Sequence, residues 1–248
     1  MLRVLALTRY GRLGASSRLR TYQYQAPLRA HGIDVRIEPL FRDPYVEALY
    51  KRRNRSLHVV ASFGRRIAAA WTCRDVDALW VEKEMLPWIP AFVELALLPR
   101  QRPLVVDYDD AIFHSYDRHR SGAVRHLLAD KIDAVMRRAD LVTAGNDYLA
   151  ERARSAGAPH VELVPTVVDL DHYRPVPAPR DGQTTVGWIG SPSTAFYLDA
   201  LKPVMASLSA QHGIRAVAIG ARPEQVAGTA FTAEAWAEDT EAECLARL

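Results

Sequence analysis

A chain of 248 residues, 49% apolar and 25% charged, is long enough to bury a sizeable core and too apolar for a disordered segment. Its formal charge of +3 is too small to imply a nucleic-acid partner, and its two cysteines, Cys73 and Cys244, lie far apart in no metal-ligand spacing. No apolar run reaches the roughly 18 residues of a membrane-spanning helix, and Arg3 interrupts a short N-terminal apolar stretch unlike a signal peptide, so the expectation is a cytoplasmic protein.

Taken in chain order, apolar runs of strand length alternate with helix-length segments. Strands are expected over residues 2–8, 33–38, 78–82, 104–107, 141–144 and 161–165, all short, nearly continuous in apolar character and rich in Val, Leu and Ile. Such runs suit parallel strands buried on both faces. Between them, Ser16 or Ser17 is expected to cap a helix reaching Ala30 and ending at Gly32. A second helix is expected over 123–138, and Asn146 should cap a third that ends near Gly157. The alternation predicts a doubly wound α/β domain over residues 1–173. Prolines and a glycine at 174–182 read as a linker, after which the pattern restarts. In residues 183–248 a strand at 185–189, a turn at Gly190-Ser191-Pro192-Ser193, a helix over 194–211 kinked at Pro203, a strand at 214–219 and a helix over 238–248 form the start of a second Rossmann-like domain. These elements are too few to close a doubly wound sheet, so the expectation is a chain truncated within its second domain, or completed by a partner.

Ligand sites in such domains lie beyond the carboxyl ends of the strands. The loop after the first strand carries Gly11 and Gly14, with Ser16, Arg18 and Arg20 at the following helix start, which suits an anionic group; its plain alternative is a turn with a capping serine. After the strand at 104–107 come Asp107, Asp109 and Asp110, candidate catalytic acids, because carboxylates packed together repel one another and call for hydroxyls, cations or a proton to manage. Their alternative is one capping acid with solvated neighbours. Gly190 and Ser191 form a third candidate, a small-residue turn suited to a diphosphate. Residues 51–74 hold Lys51, Arg52, Arg53, Arg55, Arg65, Arg66 and Arg74 with interleaved apolar residues, a pattern of peripheral contact with an anionic inner membrane face or of a solvated helix. The histidines form no metal-ligand set, and His114 and His119 lie close enough after the acidic loop for one to reach it.

The stretches LVVDYDDAIF, ADLVTAGNDYLAERA, VPTVVDLDHYRP and VGWIGSPSTAFYLDAL together resemble the family-4 (group 1) retaining glycosyltransferases of the GT-B fold, over essentially the whole chain. The resemblance implies an acceptor-side and a donor-side Rossmann-like domain. It implies transfer of a sugar from a nucleotide-diphosphate donor to a glycan or lipid-linked acceptor, as in polysaccharide biosynthesis, with no cofactor and no metal. It places Gly14, Ser16, Gly190 and Ser191 near the donor. Two departures stand out. Asp107, Asp109 and Asp110 occupy the region where many members place a histidine, and the E-x7-E segment of the donor domain is not among these residues. The resemblance therefore implies an incomplete donor site and an inactive fragment. Rival readings are a haloacid-dehalogenase-like phosphatase, in which one acid of the Asp107-x-Asp109 motif attacks phosphorus and the other is acid/base with magnesium, and a non-catalytic fragment that binds a sugar nucleotide or a partner.

Overall fold

The computed structural model describes residues 1–50, 56–72, 75–174 and 182–246. Most of the expected linker, part of the basic stretch and Cys73 lie outside the described residues. The chain divides into two compact units, Met1–Val167 and Val168–Leu248.

In chain order the first unit contains β1 (Leu2–Leu7), α1 (Ala15–Arg20), α2 (Gln25–Ala30), β2 (Ile33–Ile37), α3 (Asp43–Tyr50), α4 (Ser56–Thr72), β3 (Ala78–Glu82), α5 (Ala91–Leu97) and β4 (Leu104–Tyr108). It continues through α6 (His114–Asp117), α7 (Gly122–Leu128), α8 (Lys131–Arg138), β5 (Leu141–Ala144), α9 (Asp147–Ala156) and β6 (Val161–Leu163). The strands form one sheet in the order β2-β1-β3-β4-β5-β6, and every pair is parallel. Consecutive residues of a strand point to opposite faces, so burial of Leu5, Ala6 and Leu7 in succession means that both faces are covered. β2 leaves β1 on one side and β3 joins it on the other. The strand order therefore reverses between β1 and β3, where the loops diverge and leave a crevice.

The expected helix over 16–30 is broken into α1, a 3-10 turn at Tyr22–Tyr24 and α2. Pro27 supplies the reason: without an N–H it belongs in the first turn of a helix, where no intrahelical acceptor is lost, so α2 restarts at Gln25. The expected helix over 123–138 likewise breaks between α7 and α8, which sets Lys131 inside the core. α9 follows expectation. The Asn146 side chain accepts from Leu149 N at 3.0 Å, and Gly157 closes the helix at a φ of +87°.

The second unit contains β7 (Thr185–Ile189), a 3-10 helix at Ala195–Ala200, α10 (Lys202–His212), β8 (Arg215–Ile219), α11 (Pro223–Val226), β9 (Phe231–Glu234) and α12 (Glu241–Ala246). Its strands are parallel in the order β7-β8-β9. Alternating residues of β8 enter two cores: Ala216 and Ala218 meet Leu198, Met205, Val226 and Phe231, while Val217 and Ile219 meet Cys244. Pro203 does not kink a long helix. It sits in the first turn of α10, the position its missing N–H suits, and a 3-10 helix precedes it.

Candidate functional site

Three strand ends meet at the crevice. From β1 the chain enters a tight loop in which Gly11 N donates to Phe41 O at 3.1 Å and Gly14 N donates to Gly11 O at 3.1 Å. Gly14 is the N-terminal cap of α1, and a Cβ there would overlap Tyr10 Cβ and lie 3.0 Å from Cγ, so only glycine fits this turn. Ser16 and Ser17 do not cap the helix. They lie within it, and carboxylates far along the chain recruit their hydroxyls. Arg18 is buried and donates to Arg12 O at 3.2 Å, so its guanidinium braces the loop.

The end of β3 contributes Glu82 and Lys83, which sequence reasoning passed over. The Glu82 carboxylate accepts from Ser17 Oγ at 2.6 Å and from Arg9 N at 3.0 Å, tying the loop to the sheet. Burial, the largest influence, raises its pKa. Lys83 has a φ of +65°, a conformation that costs a non-glycine residue energy and that collects at functional sites. This turn directs its buried ammonium onto the acidic loop: Nζ lies 2.9 Å from Asp109 Oδ1 and 2.6 Å from Asp110 Oδ2. Ser16 Oγ donates to Asp109 Oδ2 from the other side. Burial alone would raise the Asp109 pKa, but Lys83 and Ser16 outweigh it and hold this carboxyl below the ordinary range. The Asp110 side chain is 67% exposed, so it presents an accessible carboxylate at the mouth of the cluster.

Asp107 stands apart from that cluster. It is buried. Arg20 grips both of its oxygens, with Nε donating to Oδ2 at 2.9 Å, and Thr143 Oγ1 donates to Oδ1. The same Arg20 donates to Val164 O at 2.6 Å, and Gln23 Nε2 donates to Val167 O at 2.9 Å, fastening the last residues of the first unit to α1 and the turn after it. An Asp107 buried and gripped in this way is placed to hold Arg20 rather than to attack phosphorus.

Beneath the cluster lies a buried ionic group. Glu84 accepts from Tyr116 OH at 2.9 Å, pairs with Arg9 at 3.3 Å and with Lys131; Lys131 also lies 3.1 Å from Glu94, which accepts from Met85 N at 2.7 Å. Each charge has an opposite partner, the condition under which ions are retained in a core. His114 is held by Asp117 at 2.9 Å and Tyr148 at 2.6 Å, and His119 stacks edge-on to Trp88; neither makes a described contact with Asp109 or Asp110. Among the described residues no group of three or more His, Cys, Asp or Glu side chains is arranged to hold a metal ion.

In the second unit Gly190 N donates to Ile219 O at 3.0 Å, and the turn closes with Ser191 N donating to Thr194 Oγ1 at 3.1 Å and Thr194 N to Ser191 O at 3.0 Å. A Cβ on Gly220, whose φ is +85°, would overlap the Gly190 carbonyl oxygen, so these strand ends approach at backbone contact. The Ser191 hydroxyl meets Ser193 Oγ at 2.7 Å.

The basic stretch departs from expectation where it is described. Arg66, on α4, is buried and donates to Thr8 O, and burial lowers its pKa to about 9; Arg65 is half-buried and donates to Leu40 O at 2.8 Å. No helix among the described residues is long and apolar enough to cross a membrane.

No family model and no curated protein sequence matches the chain. Among solved structures it is similar to an alpha-glucosyltransferase in complex with UDP and a 13-mer DNA containing a central A:G mismatch, at 14% identity and a TM-score of 0.54 over 90% of this chain. It spans 57% of the length of that protein. It is also similar to S. aureus MnaA in a co-structure with UDP, at 11% identity and a TM-score of 0.58, over 99% of this chain and 71% of that one. At such identities the likeness is one of fold: the chain consists of Rossmann-like α/β units of the GT-B type.

Proposed function

We propose that this chain serves transfer of a sugar from a nucleotide-diphosphate donor to a glycan or lipid-linked acceptor, as in the retaining family-4 glycosyltransferases. The observation that carries the reading is the convergence of the Gly14 loop, Lys83, Asp109 and Asp110 at the reversal point of a parallel sheet, in a fold shared with structures that hold UDP. In the first unit, Gly14 and Ser16 are our candidates for the approach to donor phosphate or sugar, with Arg18 bracing their loop from behind. Gly190 and Ser191 are the candidates in the second. The diphosphate is met by backbone N–H groups and fixed cations, so the transfer we propose uses no metal. Asp109 and Asp110 accept hydrogen bonds from acceptor hydroxyls, and exposed Asp110 takes the departing proton. Lys83 favours the ionised form of Asp109, and Asp107 acts only by holding Arg20.

The test is calorimetric titration of the 248-residue chain with UDP and other nucleoside diphosphates, alongside nucleotide release from a panel of nucleotide sugars. Saturable binding is expected, weakened about tenfold or more in Gly14→Ala, whose side chain would displace the loop. Release by these residues alone is expected to stay near background. Asp110→Asn should bind nucleotide as the wild type does. Absence of binding to every nucleoside diphosphate would overturn the reading. If a longer form carrying these residues also bound nucleotide without transfer, the rival reading as a non-catalytic binding protein would take its place.

A further inference from the structure

α4 turns its charges the wrong way for a solvated helix. A helix facing water carries its charged residues outward. Here the outward positions on the described part of α4 are Val60, Ala61, Gly64, Ala68, Trp71 and Thr72, and none is charged. Arg66 points into the core at 3% exposure, and Arg65 is drawn to the carbonyl of Leu40. Residues 60, 64, 68 and 71 succeed one another at helical spacing, forming one stripe about 17 Å long. Val60 is 74% exposed at one end and Trp71 63% at the other. Phe92 is exposed as well, on α5, which packs beside α4.

The flank of this stripe is basic. The chain carries no carboxylate between Glu47 and Asp75. Arg42 is exposed, and it lies close enough to Arg65 to lower its pKa together with burial, the larger effect; Glu38, 3.9 Å from Arg42, offsets only part of this positive charge. A twofold contact between copies through this stripe would set the two basic flanks against each other, whereas an anionic lipid surface would attract them. Small residues at 61, 64 and 68 between an aliphatic and an indole end let the helix lie flat, with the indole at headgroup depth.

We propose that the outward stripe of α4 docks this protein on an anionic lipid surface, with Val60 and Trp71 entering the headgroup–acyl boundary. The contact is independent of the donor site. Gly64 offers a clean probe, because a Cβ there meets no atom within 4 Å and a side chain can be added without disturbing the fold. The experiment is co-sedimentation of the chain with vesicles of phosphatidylcholine alone and of an equal mixture with phosphatidylglycerol, at low and high salt. Binding to the mixed vesicles, reduced by salt, is expected. Gly64→Glu should weaken it about tenfold and Gly64→Leu should strengthen it, with unfolding midpoints in both no lower than that of the wild type, because each removes a glycine from a helix interior. Bromine-labelled acyl chains should quench tryptophan emission, and Trp71→Phe should remove that quenching. Equal sedimentation with the two vesicle types, unchanged binding by Gly64→Glu, or self-association of the wild type that Gly64→Glu abolishes would each overturn the proposal.

Discussion

Asp107 and Asp109 flank the buried Tyr108, and burial gives them different chemistry. Asp107 is sealed against Arg20 and Thr143, so removing its charge leaves a buried guanidinium without a counter-ion. Asp107→Asn is expected to destabilise the first unit by about 3–5 kcal/mol, read as a lower urea midpoint at constant slope. Asp109 behaves differently because Lys83 and Ser16 hold its folded-state pKa below the ordinary 3.8. The ionised group therefore contributes stability at every pH above 3.8, and that contribution is lost as the pH falls through the folded-state value. Urea midpoints across the range from about pH 5 to about pH 2 should fall less steeply in Asp109→Asn than in the wild type. The acidic loop was legible because carboxylates directly after an apolar strand are conspicuous. The same signal, a charged Glu82-Lys83-Glu84 run that begins at the last residue of β3, was available and passed over. What no local reading supplies is that Ser16 serves Asp109 across 93 residues and Ser17 serves Glu82 across 65. The serines resemble caps in sequence because their true partners are remote.

At the scale of elements, the strands of the first sheet were readable from sequence because burial on both faces writes itself as an unbroken apolar run. β9 was not: Phe231-Thr232-Ala233-Glu234 lies at the edge of its sheet and mixes polar with apolar residues. The expected helices over 16–30, 123–138 and 194–211 fall on helical segments but were drawn too long, since apolar spacing carries across Pro27, Ala129 and Leu201 while the backbone does not; α3, α5, α6 and α11 were not read from sequence. The close approach in the second unit was half legible. A glycine-bearing turn was evident at 190, but the need for Gly220 comes from strand pairing that brings its Cα against the Gly190 carbonyl. Gly220→Ala would both force a side chain into the left-handed region and overlap that oxygen. A loss of roughly 2 kcal/mol or more is expected, seen as selective loss of amide-exchange protection at β7 and β8.

On the scale of the whole molecule, the sequence announced an α/β pattern that pauses near residue 174 and restarts, and the structure contains two compact units of that class. Where the charges of α4 would point could not be read from sequence, because the same basic and apolar composition fits a helix with either face outward; only its seat against β1 and the chain at Leu40 turns Arg65 and Arg66 away from water. The order of strands in the first sheet also bears on how the protein comes into being. β1 leaves the ribosome before the other strands of its sheet, yet one of its two neighbours is β3, and the Arg3–Asp77 contact beside that pairing spans 74 residues. Arg20 then waits for Val164, 144 residues later. During synthesis β1 and β2 can pair early, but the other edge of β1 stays open until β3 emerges, and an open apolar edge invites chaperones or wrong partners. Ribosome-stalled chains ending before Leu104 are expected to be digested readily by protease, and those extending past Val167 to resist it.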